Sequence, residues 1–414
     1  MLSNKAVLTV AGASMVLGMA VASSAQAETL KVGIVESLSG SQTSTGRLYA
    51  TAARYVLEKV NEQGGYNGDQ IEILEYDNGG NTSGAAAKVR QAIADGVDVI
   101  IQGSSSAVAG QVSEDVRKHN IRNRGDEVLY LNVGGEAMEL RSNKCHYHAF
   151  HFTSTAPMRV GALTQVMSEQ GGLGDRVYSI NQNYSWGKDM QEAIKARAEE
   201  YGYEVVDTVL HEVNRIQDFA PYVAQIKSAN PDSVITGNWS NDLLLLMRAV
   251  GGAGLDDITF GTAFLDQVGN VANAGQGAMG NYVAHLGNIE LLSEEFVNDY
   301  QSVTGHYPVY VEPGAVNGIK LFTKALEEVD FEGGDIDVNQ IAAALEQTTL
   351  ETDLGEISIR EGDHQTVMPV VVSRVSKDVK YPVDGTDMGF EPIEVVSAAD
   401  AIFPLQESCR MRRP

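Results

Sequence analysis

The chain is poor in cysteine, in proline and in basic residues. Its 414 residues include 2 Cys, 10 Pro and 30 Lys or Arg against 55 Asp or Glu, which gives a formal charge of −25. Two cysteines are too few for a small disulfide-dependent scaffold. The acidic excess disfavours nucleic acid and anionic membrane surfaces as partners, because both attract Lys and Arg. The hydrophobic share of 43% is ordinary for a globular protein, which excludes a disordered or collagen-like chain.

Motifs of enzymes and of cofactor-binding proteins are also missing. The sequence has neither a P-loop lysine motif nor the Gly-x-Ser-x-Gly turn of serine hydrolases. Residues 275–280 match Gly-x-Gly-x-x-Gly, but they lead into a segment with strand character rather than into a helix. His146 and His148 share one face of an extended segment while His151 falls on the other, and no second ligand group lies nearby. We therefore expect no catalytic residue, no cofactor and no metal.

The first 27 residues have the pattern of a secretory signal peptide. Lys5 precedes an apolar run over residues 6–22, and Ala-Gln-Ala at 25–27 is typical of a cleavage site. The alternative is a membrane anchor, but the run is rich in Ala, Gly and Ser and is shorter than the roughly 20 apolar residues that a span needs. No cysteine follows Ala27, so the sequence does not indicate a lipid anchor.

Export changes the interpretation of the two cysteines. In an oxidising compartment, Cys145 and Cys409 are expected to form a structural disulfide that ties the C-terminal tail to the body of the protein. The alternative is two separate buried thiols.

Short β-branched runs alternate with segments of helical periodicity along most of the chain. Strands are predicted over residues 30–36, 71–77, 97–101 and 128–132, and again over 176–181, 204–210 and 233–236. Strands separated by helices of 10–15 residues indicate right-handed βαβ units and parallel sheets covered on both faces. Because the pattern restarts after residue 155, the sequence predicts an α/β protein with two doubly wound lobes.

Ligands of such sheets bind beside the carboxyl ends of the strands, so the loops there hold the candidate site. Ser104, Ser105 and Ser106 follow a buried strand and precede a helix, where hydroxyl and free N–H groups favour an anion. Ordinary helix capping by serine is the alternative, and both can hold. Trp186 and Trp239 also follow strands, where they can form the wall of a cleft, although tryptophan is commonly a core residue.

Several stretches, in this order, resemble the periplasmic branched-chain amino acid-binding proteins, the type I substrate-binding subunits of ABC importers. They are residues 32–40 (Val-Gly-Ile-Val-Glu-Ser-Leu-Ser-Gly), 60–68 (Val-Asn-Glu-Gln-Gly-Gly-Tyr-Asn-Gly), 75–77 (Glu-Tyr-Asp), 103–106 (Gly-Ser-Ser-Ser), 184–187 (Tyr-Ser-Trp-Gly) and 278–280 (Ala-Met-Gly). The resemblance covers most of the chain after the signal peptide.

The resemblance implies two lobes joined by a three-segment hinge that close on a small ligand. Lobe 1 would comprise residues 28–152 plus 284–361, and lobe 2 residues 153–283 plus 362–414, with crossings near residues 151–153, 283–285 and 360–363. It further implies a periplasmic, monomeric protein without catalytic activity that delivers its ligand to an ABC permease in the inner membrane.

The resemblance and the strand ends together give a set of ligand-binding candidates. They are Ser39, Ser104, Ser105, Ser106, Gly134, Gly135, Glu136, Tyr184, Trp186, Trp239, Phe264 and Asp266. Amino-acid binders of this family use a second-lobe acid for the ammonium group, and its place here falls on Ala263 or Phe264. We therefore expect an aromatic or hydrophobic carboxylate as ligand. An amino acid is the alternative if Glu136 or Asp266 points into the cleft, and a ligand-sensing module of the same fold is another.

Overall fold

The structure is a computed structural model that describes residues 1–2, 29–66, 68, 70–255, 257–329 and 336–414. The predicted signal peptide lies almost entirely outside these ranges. No helix within them is long and apolar enough to cross a membrane.

The described residues form strands and helices in the predicted alternation. The strands are β1 (Lys31–Glu36), β2 (Glu72–Asp77), β3 (Val99–Gln102), β4 (Leu129–Asn132), β5 (Ala149–His151), β6 (Arg176–Gln182), β7 (Glu204–His211), β8 (Ser233–Thr236), β9 (Thr259–Thr262), β10 (Tyr282–His285), β11 (Thr349–Thr352), β12 (Gly355–Arg360), β13 (Gln365–Val367), β14 (Val370–Ser376) and β15 (Gly389–Val396). The α-helices are α1 (Thr43–Glu62), α2 (Thr82–Ala94), α3 (Ser106–Arg122), α4 (Ala156–Glu169), α5 (Ser185–Ala196), α6 (Ala198–Tyr201), α7 (Ala220–Ala229), α8 (Ser240–Ala253), α9 (Asn270–Ala274), α10 (Glu294–Thr304), α11 (Glu312–Leu326), α12 (Val338–Gln347) and α13 (Ala398–Ala401).

Two separate sheets confirm the predicted α/β class with two lobes. The first sheet has the order β11-β12-β13-β5-β4-β3-β1-β2, and the second has the order β15-β14-β10-β9-β8-β6-β7. Strands β1 to β5 pair in parallel, as do β6 to β10, and antiparallel strands extend one edge of each sheet. The central strands are completely buried because helices cover both faces, which explains apolar runs such as that of β3.

Strand register brings polar side chains together at the carboxyl ends of the sheet. Glu36 at the end of β1 lies opposite Asp77 of β2, and Gln102 of β3 lies opposite Asn132 of β4. The apolar residues of α1 recur at helical spacing and are buried, and the helix packs on α11 above this edge. The packed scaffold therefore holds the loops after β1, β3 and β4 close to one another.

The chain crosses between the lobes at residues 152–155 and 368–369, between strands of different sheets, and once more between β10 and α10. Residues 288–291 still contact β15 of the second sheet, whereas α10 and α11 pack on α1 of the first lobe. The boundary expected at residue 361 falls too early, because β13 pairs with β12 and β5 in the first sheet. Residues 284–285 belong to the second sheet, as part of β10. The third crossing was misplaced because β13 is only three residues long and is polar, so it carries no recognisable strand pattern.

The C-terminal tail returns from the second lobe to the first, which also differs from the expected assignment of residues 362–414. α13 packs on α4 of the second lobe, whereas the carbonyl of Phe403 accepts a hydrogen bond from Arg360 of the first. Arg413 then pairs with Glu346, with N···O distances of 2.7 and 2.8 Å. The expected disulfide joins the tail to Cys145, with the Cα atoms 5.5 Å apart.

Removal of this disulfide should destabilise the protein. The bridge joins residues 264 positions apart, and closing so long a loop restricts the unfolded chain, so Cys409→Ser should cost about 2–5 kcal/mol of the free energy of unfolding. Denaturation midpoints of Cys409→Ser and Cys145→Ser should fall by the same amount, to that of the reduced wild type. A wild-type midpoint that does not change on addition of reductant would contradict the prediction.

Candidate functional site

A cavity lies between the lobes, where both sheets reverse their strand order. After β1 and β2 the chain returns to the other side of β1 to form β3, and after β6 and β7 it returns to form β8. Crevices at such reversals, beside the carboxyl ends of strands, are the usual ligand sites of open α/β sheets. Loops from both lobes therefore supply the lining.

The cavity has two chambers that share Tyr49, Glu136, Phe264 and Tyr310. The serine chamber is lined by Thr45, Tyr49, Gly103, Ser104, Ser105, Ser106, Gly134, Glu136, Tyr184, Trp186, Trp239, Phe264 and Tyr310. The arginine chamber is lined by Tyr49, Val133, Glu136, Thr153, Arg159, Phe264, Asp266, His285, Leu286, Tyr310 and Val311. Aromatic side chains with a few polar groups among them are the usual lining of a small-molecule site.

The N-terminus of α3 provides hydrogen-bond donors in the serine chamber. Ser105 precedes the helix with a φ of 71°, a conformation that residues other than glycine seldom adopt, and its side chain does not cap the helix. The N–H groups of residues 106–108 meet no acceptor within the described part of the chain. The Thr45 hydroxyl, also buried in the lining, likewise has no described partner. These groups can receive an anion.

Ser104 and Ser106 use their hydroxyl groups within the protein. The Ser104 hydroxyl donates to Glu36 Oε2 at 2.5 Å, and the Ser106 hydroxyl accepts the N–H groups of Glu136 and Ala137 at 3.1 and 3.2 Å. Ser106 thus holds the loop after β4 against the first turn of α3.

A buried ion pair connects the lobes inside the cavity. Arg159 on α4 contacts both carboxylate oxygens of Glu136, with N···O distances of 2.7 and 2.8 Å, and Thr153 donates to the same carboxylate at 3.1 Å. The Arg159 guanidinium also donates to the carbonyls of Ala263, at 2.9 Å, and Ala284. Four of the five N–H donors of Arg159 are therefore hydrogen-bonded within the protein, and its positive charge is balanced by Glu136.

Asp266 adds a second carboxylate in the arginine chamber. Its Oδ2 lies 3.2 Å from His285 Nδ1, while its Oδ1 is buried without a partner among the described residues. Only 6% of its side chain is exposed. An unpartnered buried carboxylate oxygen is costly, so a donor from a ligand would stabilise it.

Aromatic rings from both lobes form the remaining wall. The Trp239 indole N–H donates to the Tyr184 hydroxyl at 2.6 Å, and the Trp186 indole N–H donates to the carbonyl of Gly237 at 2.7 Å. Phe264 lies between Trp186 and Tyr310, with ring centroids 5.4 and 5.9 Å away. The indole hydrogen bonds and the ring contacts hold these side chains in place, so that their apolar faces can pack against an apolar part of a ligand.

Two contacts close the lobes over the cavity. The N–H of Met138 in the first lobe donates to Asp189 of α5 at 2.8 Å, and the Ser240 hydroxyl donates to the carbonyl of Ser41 at 3.3 Å. Burial at this contact raises the pKa of Asp189 to about 6. The lobes are therefore in the closed arrangement.

The structure brings ten of the twelve predicted ligand residues to the cavity lining. Ser39 is exposed and donates its N–H to Asp77, and Gly135 packs behind the lining, where its carbonyl accepts from Asn132 and Arg141. Gly134 is required for close approach, since a Cβ there would lie 2.0 Å from the Tyr49 hydroxyl oxygen. The three histidines near Cys145 bind different partners, namely His146 to Ser113, His148 to Asn339 and His151 to Asn132.

Sequence reasoning missed lining residues that do not follow strands. Thr45 and Tyr49 lie on α1, Arg159 lies in the first turn of α4, and Tyr310 lies two residues before the start of α11 with a φ of 54°. A basic residue in an otherwise apolar helical stretch was the one available signal for Arg159, which is 4% exposed.

Comparison with known proteins agrees with this geometry. The family model described as periplasmic binding protein matches residues 29–380. Leu/Ile/Val-binding protein homolog 4 of Brucella abortus (strain 2308) is 53% identical, with all of both chains covered. The crystal structure of a leucine-, isoleucine-, valine-, threonine- and alanine-binding protein from Brucella ovis, in a closed conformation, is 54% identical with a TM-score of 0.89, covering 94% of this chain and 100% of that one.

A more distant structure shares the fold. It is a solute-binding protein of an ABC transporter from Rhodopseudomonas palustris BisB5 in complex with 3,4-dihydroxybenzoic acid, 22% identical with a TM-score of 0.75, covering 89% of this chain and 98% of that one. The predicted family is confirmed: the chain belongs to the periplasmic binding protein family and is a solute-binding protein rather than an enzyme.

Proposed function

We propose that the protein captures a small α-amino acid between its lobes in the periplasm and delivers it to the permease of an ABC importer in the inner membrane. The observation that carries the proposal is the Asp266 carboxylate in the arginine chamber, whose Oδ1 has no partner among the described residues. Arg159 in the same chamber is already paired with Glu136. The names of the Brucella relatives, which refer to Leu, Ile and Val, support the same ligand class. Residues 1–27 would direct the export.

The carboxylate of the ligand would bind at the start of α3. The N–H groups of residues 106–108 have no acceptor among the described residues, and the positive end of the helix dipole favours a negative group there. The unpartnered hydroxyl of Thr45 adds a donor from α1. An acidic protein can bind an anion at such a place because the donors are local and fixed.

The ammonium group would bind between Glu136 and Asp266. Oδ1 of Asp266 has no donor among the described residues, and the Glu136 carboxylate lines both chambers. Arg159 already matches the charge of Glu136, whereas Asp266 contacts His285 through Oδ2 alone, so its free oxygen can accept a hydrogen bond from an ammonium group.

The side chain of the ligand would pack on the aromatic wall. Tyr184, Trp186 and Trp239 from the second lobe face Tyr49 from the first across the serine chamber. Closure would bury an apolar side chain there, which is worth roughly 1.5–3 kcal/mol for a leucine-sized group.

An aromatic carboxylate is the second candidate, because six aromatic rings line the serine chamber. Distant structures of the same fold hold benzoate or dihydroxybenzoate. Such an anion would bring no cation to Asp266, and Arg159 is committed to Glu136. Burying a further unpaired negative charge is unfavourable, so the amino acid is the better fit.

Leucine, isoleucine or valine should raise the melting temperature of the protein, and benzoate should not. A ligand at 100 times its dissociation constant stabilises the folded state by roughly 2.7 kcal/mol. Both tryptophans of the chain line the cavity, so their fluorescence should also change on binding and give the affinity. A shift with benzoate or 4-hydroxybenzoate but with no amino acid would show that the second candidate is correct.

Asp266→Asn should weaken leucine binding by about 10- to 100-fold, the range expected for one charged hydrogen bond. The control is Asp384→Asn, which changes a carboxylate that accepts backbone N–H groups of α9 and its N-cap, outside the cavity, and should leave the affinity unchanged. Titration of the tryptophan fluorescence with leucine measures both. Equal affinities of Asp266→Asn and wild type would remove Asp266 from the ammonium site.

A further inference from the structure

A buried carboxylate lies directly behind the serine loop. Glu36, at the end of β1, is fully buried and accepts the backbone N–H groups of Gly103 and Ser104, the latter at 3.2 Å. It also accepts the N–H of Ser37 at 3.1 Å and the Ser104 hydroxyl at 2.5 Å. No ion pair accompanies these contacts within the described ranges. The carboxylate is held by dipoles alone.

We propose that Glu36 is the positioning residue of the anion site and that capture of a ligand carboxylate is accompanied by uptake of one proton at Glu36. The inference rests on the proposed carboxylate-binding function and deepens it. The residue touches no ligand, since it does not line either chamber. It acts through Gly103 and Ser104, which do line the serine chamber.

Glu36 determines which donors remain for the ligand. The N–H groups of Gly103 and Ser104, the first two of the loop, donate to Glu36. A ligand carboxylate can therefore bind only the N–H groups from Ser105 onward. The left-handed turn at Ser105 separates the two sets. The Thr45 hydroxyl in the same chamber also has no partner among the described residues. The first two N–H groups of the loop thus bind Glu36, and the following ones are available for the carboxylate of a ligand.

The carboxylate of Glu36 and that of the ligand would bind to neighbouring N–H groups of the same loop. Burial raises the pKa of Glu36 to about 7, although its hydrogen bonds oppose the shift. The titratable groups that face it are Tyr49 of α1, Tyr130 of β4 and, opposite it on β2, Asp77. None of these supplies a positive charge. A bound ligand carboxylate therefore raises the pKa of Glu36 further.

The hydrogen-bond network can accept the added proton without rearrangement of the backbone. A proton from solvent on Glu36 Oε2 would be donated to Ser104 Oγ, and the Ser104 hydroxyl hydrogen would turn to Ser37 Oγ, 2.7 Å away. Ser37 can then donate to Asn78 Oδ1 at 3.0 Å. The N–H groups of Gly103, Ser104 and Ser37 keep their positions and then donate to a neutral carboxyl group instead of a carboxylate.

The direction of the pH effect follows from this uptake. Below the pKa of free Glu36 the proton is already present and the affinity is at its maximum, and above it each binding event must take a proton from solvent. Affinity therefore falls as pH rises above about 7, by at most about tenfold per unit for one proton. Asp189, whose pKa is about 6, is mostly ionised in this range and adds little to the slope.

The experiment measures the affinity for leucine, from tryptophan fluorescence, at pH 7.0 and 8.5 for three proteins. The wild type should bind severalfold more weakly at pH 8.5, and calorimetry in two buffers of different ionisation enthalpy should show uptake of up to one proton. Glu36→Gln, which resembles the protonated residue, should bind without pH dependence and without proton uptake. Glu346→Gln removes a buried carboxylate of the same lobe outside the cavity and should retain the wild-type slope.

Wild-type affinity that does not change with pH, or a Glu36→Gln slope equal to that of wild type, would overturn the proposal. If Glu36→Gln does not fold, the wild-type calorimetry still decides it. If leucine does not bind, the titration is repeated with benzoate, which carries the same group. Binding of neither ligand would overturn the proposed function itself, and this inference with it.

Discussion

The ion pair between Glu136 and Arg159 is the interaction on which the cavity depends. It joins a loop of the first lobe to a helix of the second at the point where both chambers meet. Both side chains are nearly inaccessible, and loss of one partner from such a pair leaves a buried charge at a cost of about 3–5 kcal/mol. The backbone carbonyls on Arg159 and the Thr153 hydroxyl on Glu136 compensate for part of the lost hydration. The pair therefore joins the lobes at the cleft and occupies Arg159, the one Arg or Lys among the described residues that line the two chambers.

In the proposed function, this commitment of Arg159 favours a ligand that carries a positive group over the aromatic acid that the sequence predicts. An aromatic acid was preferred because the usual position of the ammonium-binding acid holds Ala263 or Phe264. In the folded protein two other carboxylates, Glu136 and Asp266, reach the cavity from neighbouring loops. If the proposed function is correct, a zwitterion would meet local donors at one end and, at the other, a carboxylate oxygen that has no partner among the described residues. The acidic composition of the chain and the capture of a carboxylate are then compatible.

Much of the fold could be predicted because its signals are local. Alternating apolar runs identified the parallel strands, and the order of strands identified the loops after β3, β4, β6 and β8 as the site. The strands at the edge of the first sheet were missed for different reasons. β11 is partly exposed and polar, whereas β13 is buried but only three residues long and pairs with β5, which is distant in sequence. Thr45, Tyr49 and Arg159 were missed because a helical side chain reaches the cavity only through packing that periodicity does not describe.

Ser104 shows a different limit of sequence reasoning, since its place was predicted and its role was not. Its hydroxyl and N–H point to the carboxylate of Glu36, which is 68 residues earlier and looks in the sequence like the polar end of an ordinary strand. Which of the three serines faces the ligand depends on this long-range contact. Position in a motif thus indicates where a site lies, while the hydrogen-bond partners decide which atoms remain available.

The C-terminal tail adds a fourth connection between the lobes, beside the three crossings. Its anchor points in the first lobe lie close to the hinge along the chain: Cys145 precedes the crossing at residues 152–155, and Arg360, which binds Phe403, precedes the crossing at 368–369. The tail therefore connects the second lobe to the parts of the first lobe from which two of the hinge segments leave, and the disulfide makes this connection covalent.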